Sequence, residues 1–396
     1  MAAAGMLAPQ PRHFALELLV TNQQIRIPAD LLPADGRFGA GPSKVPEAAL
    51  AALAGLGAEV MGTSHRKPAV KGQVARLRRG LADLFSLPEG YEVVLGVGGT
   101  TAFWDAAAFS LVETKAQAIS FGEFGSKFAK AMRAPHLQEP TVITAEPPHA
   151  AHPRLEEGVD VYGTPHNETS TGVAVRVKRV ADTDALMLHD ATSAAGGLEV
   201  DLRESDCYYF APQKGLASDG GLWIALLSPA AIERVERIAA SGRYIPAFLD
   251  LKTALDNSRK EQTYNTPAVA TVVLAAEQVD LLNAAGGLSI AAKRCESSAG
   301  ALYSWAESSP VASPFVTDPA IRSNMVVTLD FDESVDAARL AQVLRDNGVV
   351  DTEPYRKLGR NQLRVATYPA IDPADTVALT KCLDYVIERL LSERSG

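Results

Sequence analysis

The chain is poor in three things that would each point to a class of protein. It has three cysteines in 396 residues, Cys207, Cys295 and Cys382. That odd, widely spaced set holds no Cys-x-x-Cys pair, which argues against a disulfide framework or a zinc site, and a reducing, cytoplasmic setting is the expectation. It has no basic excess: 38 Lys and Arg stand against 47 Asp and Glu, a formal net charge of -9, so no field draws nucleic acid or anionic lipid. It has no apolar run near the roughly 20 residues that span a bilayer, since residues 14–20 are short and carry Glu17. The opening Met-Ala-Ala-Ala-Gly lacks the charged region and cleavage site of an export signal. A protein of small-molecule chemistry, without membrane or nucleic-acid partners, is expected.

What is present is an ample apolar content, 47%, in a chain long enough for about two domains. From about residue 91, short apolar runs at 92–97, 116–121, 141–144, 159–162, 186–188, 207–210 and 222–227 alternate with helix-like segments such as 101–109. Runs apolar on both faces and joined by crossovers predict an α/β fold with a mostly parallel sheet sandwiched by helices. Ligands of such sheets bind at the C-terminal ends of the strands. After about residue 285 the pattern changes to a helix at 291–307, a strand at 325–329, a helix from 334 stopped by Gly348, a strand at 362–367 and a final helix. Asp372 caps that last helix, Pro373 opens it, and Leu379, Cys382, Leu383, Val386, Ile387 and Leu390 form its apolar stripe. The expected organisation is a peripheral N-terminal arm at 1–36, a large ligand-binding domain at 37–284 and a smaller α+β domain at 285–396.

Three features of the large domain belong together. Lys214 ends the apolar run Cys-Tyr-Tyr-Phe-Ala-Pro-Gln-Lys, Asp190 ends Ala-Leu-Met-Leu-His-Asp, and Gly-Gly-Thr-Thr at 98–101 opens a helix. A solvated loop lysine is the plain alternative for the first, and a helix cap for the second. The glycine turn offers unpaired amides and the positive end of a helix dipole, yet such turns also bind dinucleotides, and Glu123 supplies the acid that a dinucleotide fold needs. Taken together, an amine, a carboxylate and a phosphate-type turn point to pyridoxal phosphate. His189 reads as a packing residue, and Phe124 as either a ring-stacking aromatic or core. Arg364 interrupts an apolar strand, where a guanidinium suits a substrate carboxylate or an internal ion pair. Arg66, beside His65, suits a second anionic group or a solvated turn.

With these residues in view, the chain resembles the phosphoserine aminotransferase family, class V enzymes of fold-type I that depend on pyridoxal phosphate. The resemblance runs from Arg-Phe-Gly-Ala-Gly-Pro-Ser-Lys-Val-Pro at 37–46 to the end, through Ser-His-Arg, His-Asp-Ala-Thr-Ser, Pro-Gln-Lys and Tyr-Asn-Thr-Pro. It implies that Lys214 carries the cofactor, Asp190 pairs with the pyridine nitrogen, Gly99, Thr100 and Gln213 hold the phosphate, Phe124 stacks on the ring and Thr169 contacts its hydroxyl side. It further implies that Asn265 and Thr266 reach the phosphate of the other subunit in a homodimer with shared sites. His65 and Arg66 would recognise the substrate's distal anion and Arg364 its α-carboxylate, supported by Arg356 or Arg360. The implied reaction is ping-pong transamination between L-glutamate and 3-phosphohydroxypyruvate in serine synthesis, with a related step of pyridoxine synthesis left open. The chain departs from many members in having Thr100 where they have arginine, Phe124 where they have tryptophan, and Gly-Leu-Ala-Ser-Asp-Gly-Gly after Lys214. These features look like the branch typical of actinobacteria. The rivals are another class V reaction, such as serine- or alanine-glyoxylate transamination, and a non-catalytic nucleotide-binding protein.

Overall fold

Seven of the chain's β-strands form one sheet in the computed structural model, which describes residues 25–395; the stretch at 14–20 lies outside the described residues. The strands are β1 Glu92–Val97, β2 Ala116–Ser120, β3 Thr141–Thr144, β4 Val161–Pro165, β5 Asn167–Glu168, β6 Val173–Ala174, β7 Leu186–Asp190, β8 Cys207–Phe210, β9 Leu222–Leu227, β10 Ala312–Pro314, β11 Val326–Phe331 and β12 Gln362–Ala366. The helices are α1 Glu47–Val60, α2 Pro68–Leu84, α3 Thr100–Ser110, α4 Glu123–Ala131, α5 Pro229–Ala240, α6 Leu251–Ser258, α7 Val269–Ala284, α8 Gly287–Ser308, α9 Ala337–Asp346 and α10 Pro373–Ser395.

The large sheet has the order β1-β9-β8-β7-β4-β2-β3. Strands β8, β7, β4, β2 and β3 are parallel neighbours, and β9 is antiparallel to both β1 and β8. The expected mostly parallel sheet is therefore what forms, with β9 alone running against the rest. Every residue of β4, β7, β8 and β9 is buried, because helices cover both faces and leave no side of these strands to water. On one face Phe103 of α3, Phe128 of α4, Val235 of α5 and Leu255 of α6 pack against Val161, Leu188 and Tyr209. On the other, Leu77 and Leu81 of α2 and Val272 and Val279 of α7 pack against Leu95, Tyr208 and Ile224.

A second core is built on the antiparallel sheet β10-β11-β12 with α8, α9 and α10. Asp372 accepts from the amide of Ala374 at 2.9 Å at the start of α10, and all six residues of the predicted stripe are buried. The helix expected from residue 334 begins at Ala337, because Ser334 bonds to Asp332 while Asp336 accepts from the amides of Ala338 and Arg339. Residues 25–36 are not peripheral as expected. Ile25 and Ile27 are buried in the second core, Ile27 N donates to Asn347 Oδ1 at 3.0 Å, and Asn347 Nδ2 returns a bond to Ile25 O at 2.9 Å. The division expected after residue 284 falls just ahead of α8, which serves both cores: Ala291 packs toward the large sheet and Cys295 onward toward the small one. Among the described residues no single helix is long and apolar enough to cross a membrane.

Candidate active site

Because β1, β2, β4, β7 and β8 run the same way, their C-terminal ends meet along one edge of the sheet, and their loops enclose a cavity of about 180 Å³. Gly98, Gly99, Thr100, Trp104, Phe124, Thr169, Asp190, Gln213 and Lys214 line it. After β1 the chain turns at once into α3. That turn needs glycine, since Gly98 and Gly99 have φ of 119° and 87°, where an L side chain is strained, and a Cβ on Gly98 would stand 2.8 Å from that of Ala102. The first amides of α3, which a helix leaves unpaired, thus start beside the cavity.

Lys214 is 7% exposed. Its Nζ donates to Thr169 Oγ1 at 2.9 Å and lies 5.1 Å from the centroid of the Phe124 ring. Burial, helped by the positive charge of Arg364, brings its pKa down to about 8, while Asp190 and Glu168 oppose that fall. Asp190 is also buried, and burial pushes its carboxyl pKa up against the hydrogen bonds that it accepts. These come from Trp104 Nε1 to Oδ2 at 3.1 Å and from the amide and hydroxyl of Thr192 to Oδ1 at 2.9 and 2.5 Å. The carboxylate is therefore held in one orientation. Gln213 lines the cavity with its buried Oε1 free of any hydrogen bond among the described residues.

Arg364 reaches the same region from β12. Its Nη1 donates to the carbonyl of Thr169 at 3.2 Å, its guanidinium lies 5.4 Å from the Tyr355 ring, and its buried Nε makes no hydrogen bond among the described residues. Among the described residues no carboxylate forms an ion pair with this half-buried arginine, which removes the internal salt bridge as the reason for its place there. Arg360, one of its two candidate supports, is bound to Asp330 and stacked on Phe315.

Besides Arg364, four of the predicted residues are absent from the lining of this cavity. His65 and Thr266 meet each other at 3.2 Å between Nδ1 and Oγ1, with Arg66 and Asn265 adjacent in sequence. His65 is buried, with Nε2 unbonded among the described residues, and burial with the neighbouring Arg66 lowers its pKa.

Sequence reasoning missed Trp104, Thr192 and Gly41. The indole sits one helical turn beyond Thr100, a spacing that could have flagged it. Gly41 belongs to the Gly-Pro-Ser-Lys motif, and a Cβ there would lie 3.3 Å from Cε of Lys214.

Residues 37–352 match the family described as Aminotransferase class-V. A protein called phosphoserine aminotransferase from Nocardioides sp. (strain ATCC BAA-499 / JS614) is 62% identical over 370 residues, covering 92% of this chain and 99% of that one. One of the same name from Rhodococcus opacus (strain B4) is 60% identical over 366 residues, covering 92% and 98%. Among solved structures, a phosphoserine aminotransferase from Cytophaga hutchinsonii ATCC 33406 has a TM-score of 0.81 at 22% identity, covering 88% of this chain and 99% of that one; at such identity the likeness concerns the fold.

Proposed function

We propose, from the premise that this chain belongs to the class-V aminotransferase family, that it moves the amino group of L-glutamate to 3-phosphohydroxypyruvate, yielding 2-oxoglutarate and O-phospho-L-serine for serine synthesis. It is a transaminase with pyridoxal phosphate as cofactor. The observation that carries the reading is a buried lysine of lowered pKa sharing one cavity with a buried, oriented aspartate at the ends of parallel strands.

The residues fit the cofactor. The cavity joins an amine, a carboxylate and a glycine turn, and the buried donor Arg364 Nε has no partner among the described residues. When bound, the cofactor supplies an electron sink for the pair left at the substrate's α-carbon. Lys214 Nζ takes the proton from that carbon and returns one, and a pKa of about 8 keeps part of the side chain neutral for the task. Asp190, fixed by Trp104 and Thr192, would keep the pyridine nitrogen protonated. Gly99, Thr100 and Gln213 would hold its phosphate, Thr169 its ring hydroxyl side, and Phe124 would cover its ring from water. Arg364 takes the α-carboxylate, for which its unpartnered Nε is suited, with Arg356 in support.

The separate placing of His65, Arg66, Asn265 and Thr266 supports a homodimer in which these residues serve the neighbouring subunit's cavity, His65 and Arg66 toward the distal anion and Asn265 and Thr266 toward the phosphate. The three cysteines are free and buried, in keeping with a reducing, cytoplasmic setting.

The test is the visible spectrum of the purified protein as L-glutamate and then 3-phosphohydroxypyruvate are added. Yellow colour that bleaches with the first and returns with the second is expected. Bleaching without return would favour another acceptor such as glyoxylate, and a protein colourless even with added pyridoxal phosphate would overturn the reading.

A further inference from the structure

Glu168 has none of its surface exposed, and no step above uses it. Its two oxygens are nevertheless fully engaged. Oε2 accepts from the amides of Phe124 and Gly125 at 3.1 and 3.0 Å; Oε1 accepts from the amide and hydroxyl of Ser170 at 3.1 and 2.7 Å. Phe124 and Gly125 lie in the first turn of α4, whose N-cap, Gly122, has no side chain to offer. The remaining early amide, that of Glu123, donates to Ser170 Oγ at 3.1 Å. A carboxylate more than 40 residues along the chain thus does the work normally done by a neighbouring Ser, Thr or Asp, and its charge lies at the positive end of the helix. Gly122 makes the approach possible, because a Cβ there would stand 2.4 Å from Cγ of Glu168.

We propose that Glu168 is a positioning residue: by capping α4 it pins the helix that carries Phe124 to the segment that carries Thr169, and so holds the Phe124 ring in place over the Lys214 cavity. The next residue, Thr169, accepts from Lys214 through its hydroxyl and from Arg364 through its carbonyl. One carboxylate therefore ties together the aromatic ring, the lysine and the arginine. The inference rests on the reading above insofar as the cavity takes pyridoxal phosphate.

The experiment titrates cofactor-free wild type, Glu168→Gln and Glu168→Ala with pyridoxal phosphate, following the dissociation constant and the visible circular dichroism per bound cofactor, which reports how rigidly the ring is oriented. Loss of a charge-assisted cap predicts binding about tenfold weaker or worse in the alanine variant, with a diminished dichroic band. The glutamine variant falls between, since its amide oxygen still accepts from Phe124 and Gly125. Wild-type affinity and dichroism in the alanine variant overturn the proposal. Where that variant fails to fold, the glutamine variant decides: an unchanged band and affinity overturn the proposal, and a loss in both upholds it. A wild type that binds cofactor but ignores 3-phosphohydroxypyruvate unseats the substrate assignment and leaves Glu168's role standing; one that binds no cofactor unseats both.

Discussion

Burying a lysine costs free energy unless its charge is shed or matched, and Lys214 is matched only in part. In the cofactor-free protein its pKa is about 8 against the usual 10.5. Below pH 8 both folded and unfolded states hold the proton; between pH 8 and 10.5 the unfolded chain keeps a proton that the folded one has lost. Stability therefore rises with pH across that window, by about 3 kcal/mol at about 1.4 kcal/mol per unit. Urea unfolding of cofactor-free wild type, compared with Lys214→Met over the same pH range, should show that rise in the wild type alone. Lys214→Ala should fold normally, as judged by its far-ultraviolet dichroism, and retain less than about one thousandth of the transaminase rate.

At the scale of elements, strands and helices settle packing problems that their own residues do not advertise. Gly96 of β1 faces Trp223 of β9 in register, and a Cβ there would fall 2.0 Å from the indole. Gly96→Ala should cost about 1–3 kcal/mol, seen as a lower urea midpoint with an unchanged slope. Asp372→Ala, which removes the cap of α10, should cost about 1 kcal/mol by the same measurement. The same logic decides what could be read from the sequence. Runs such as 207–210 and 222–227 are apolar throughout and became β8 and β9 unaltered. The run expected at 159–162 became β4 Val161–Pro165, because Gly163 and Pro165, which read locally as breakers, serve tertiary ends: the Phe128 ring lies where a Cβ on Gly163 would be. Lys214 and Asp190 were legible because each puts a charge at the end of an apolar run. Glu168 was not, since the helix amides that it caps lie 43 and 44 positions away and no local pattern encodes such a bond.

At the scale of the whole molecule, the site divides into a cavity and a separate cluster around His65 and Thr266. If the cluster serves a second subunit, Lys214→Ala and Arg66→Glu should each be nearly inactive alone, yet co-refolding equal amounts should restore about a quarter of wild-type activity, because half the dimers are mixed and each has one complete site. No recovery would place Arg66 with its own subunit's cavity. The small core has a different dependence, on order of manufacture. Ile25 and Ile27 pack with β11, β12 and α10, so residues near the beginning of the described chain await partners more than 300 positions later. At about 5–20 residues per second on the ribosome, that wait is on the order of 20–60 s. The large sheet draws its strands from 92–227 and can close while the small core is still one wall short, with two isoleucines uncovered in the growing chain.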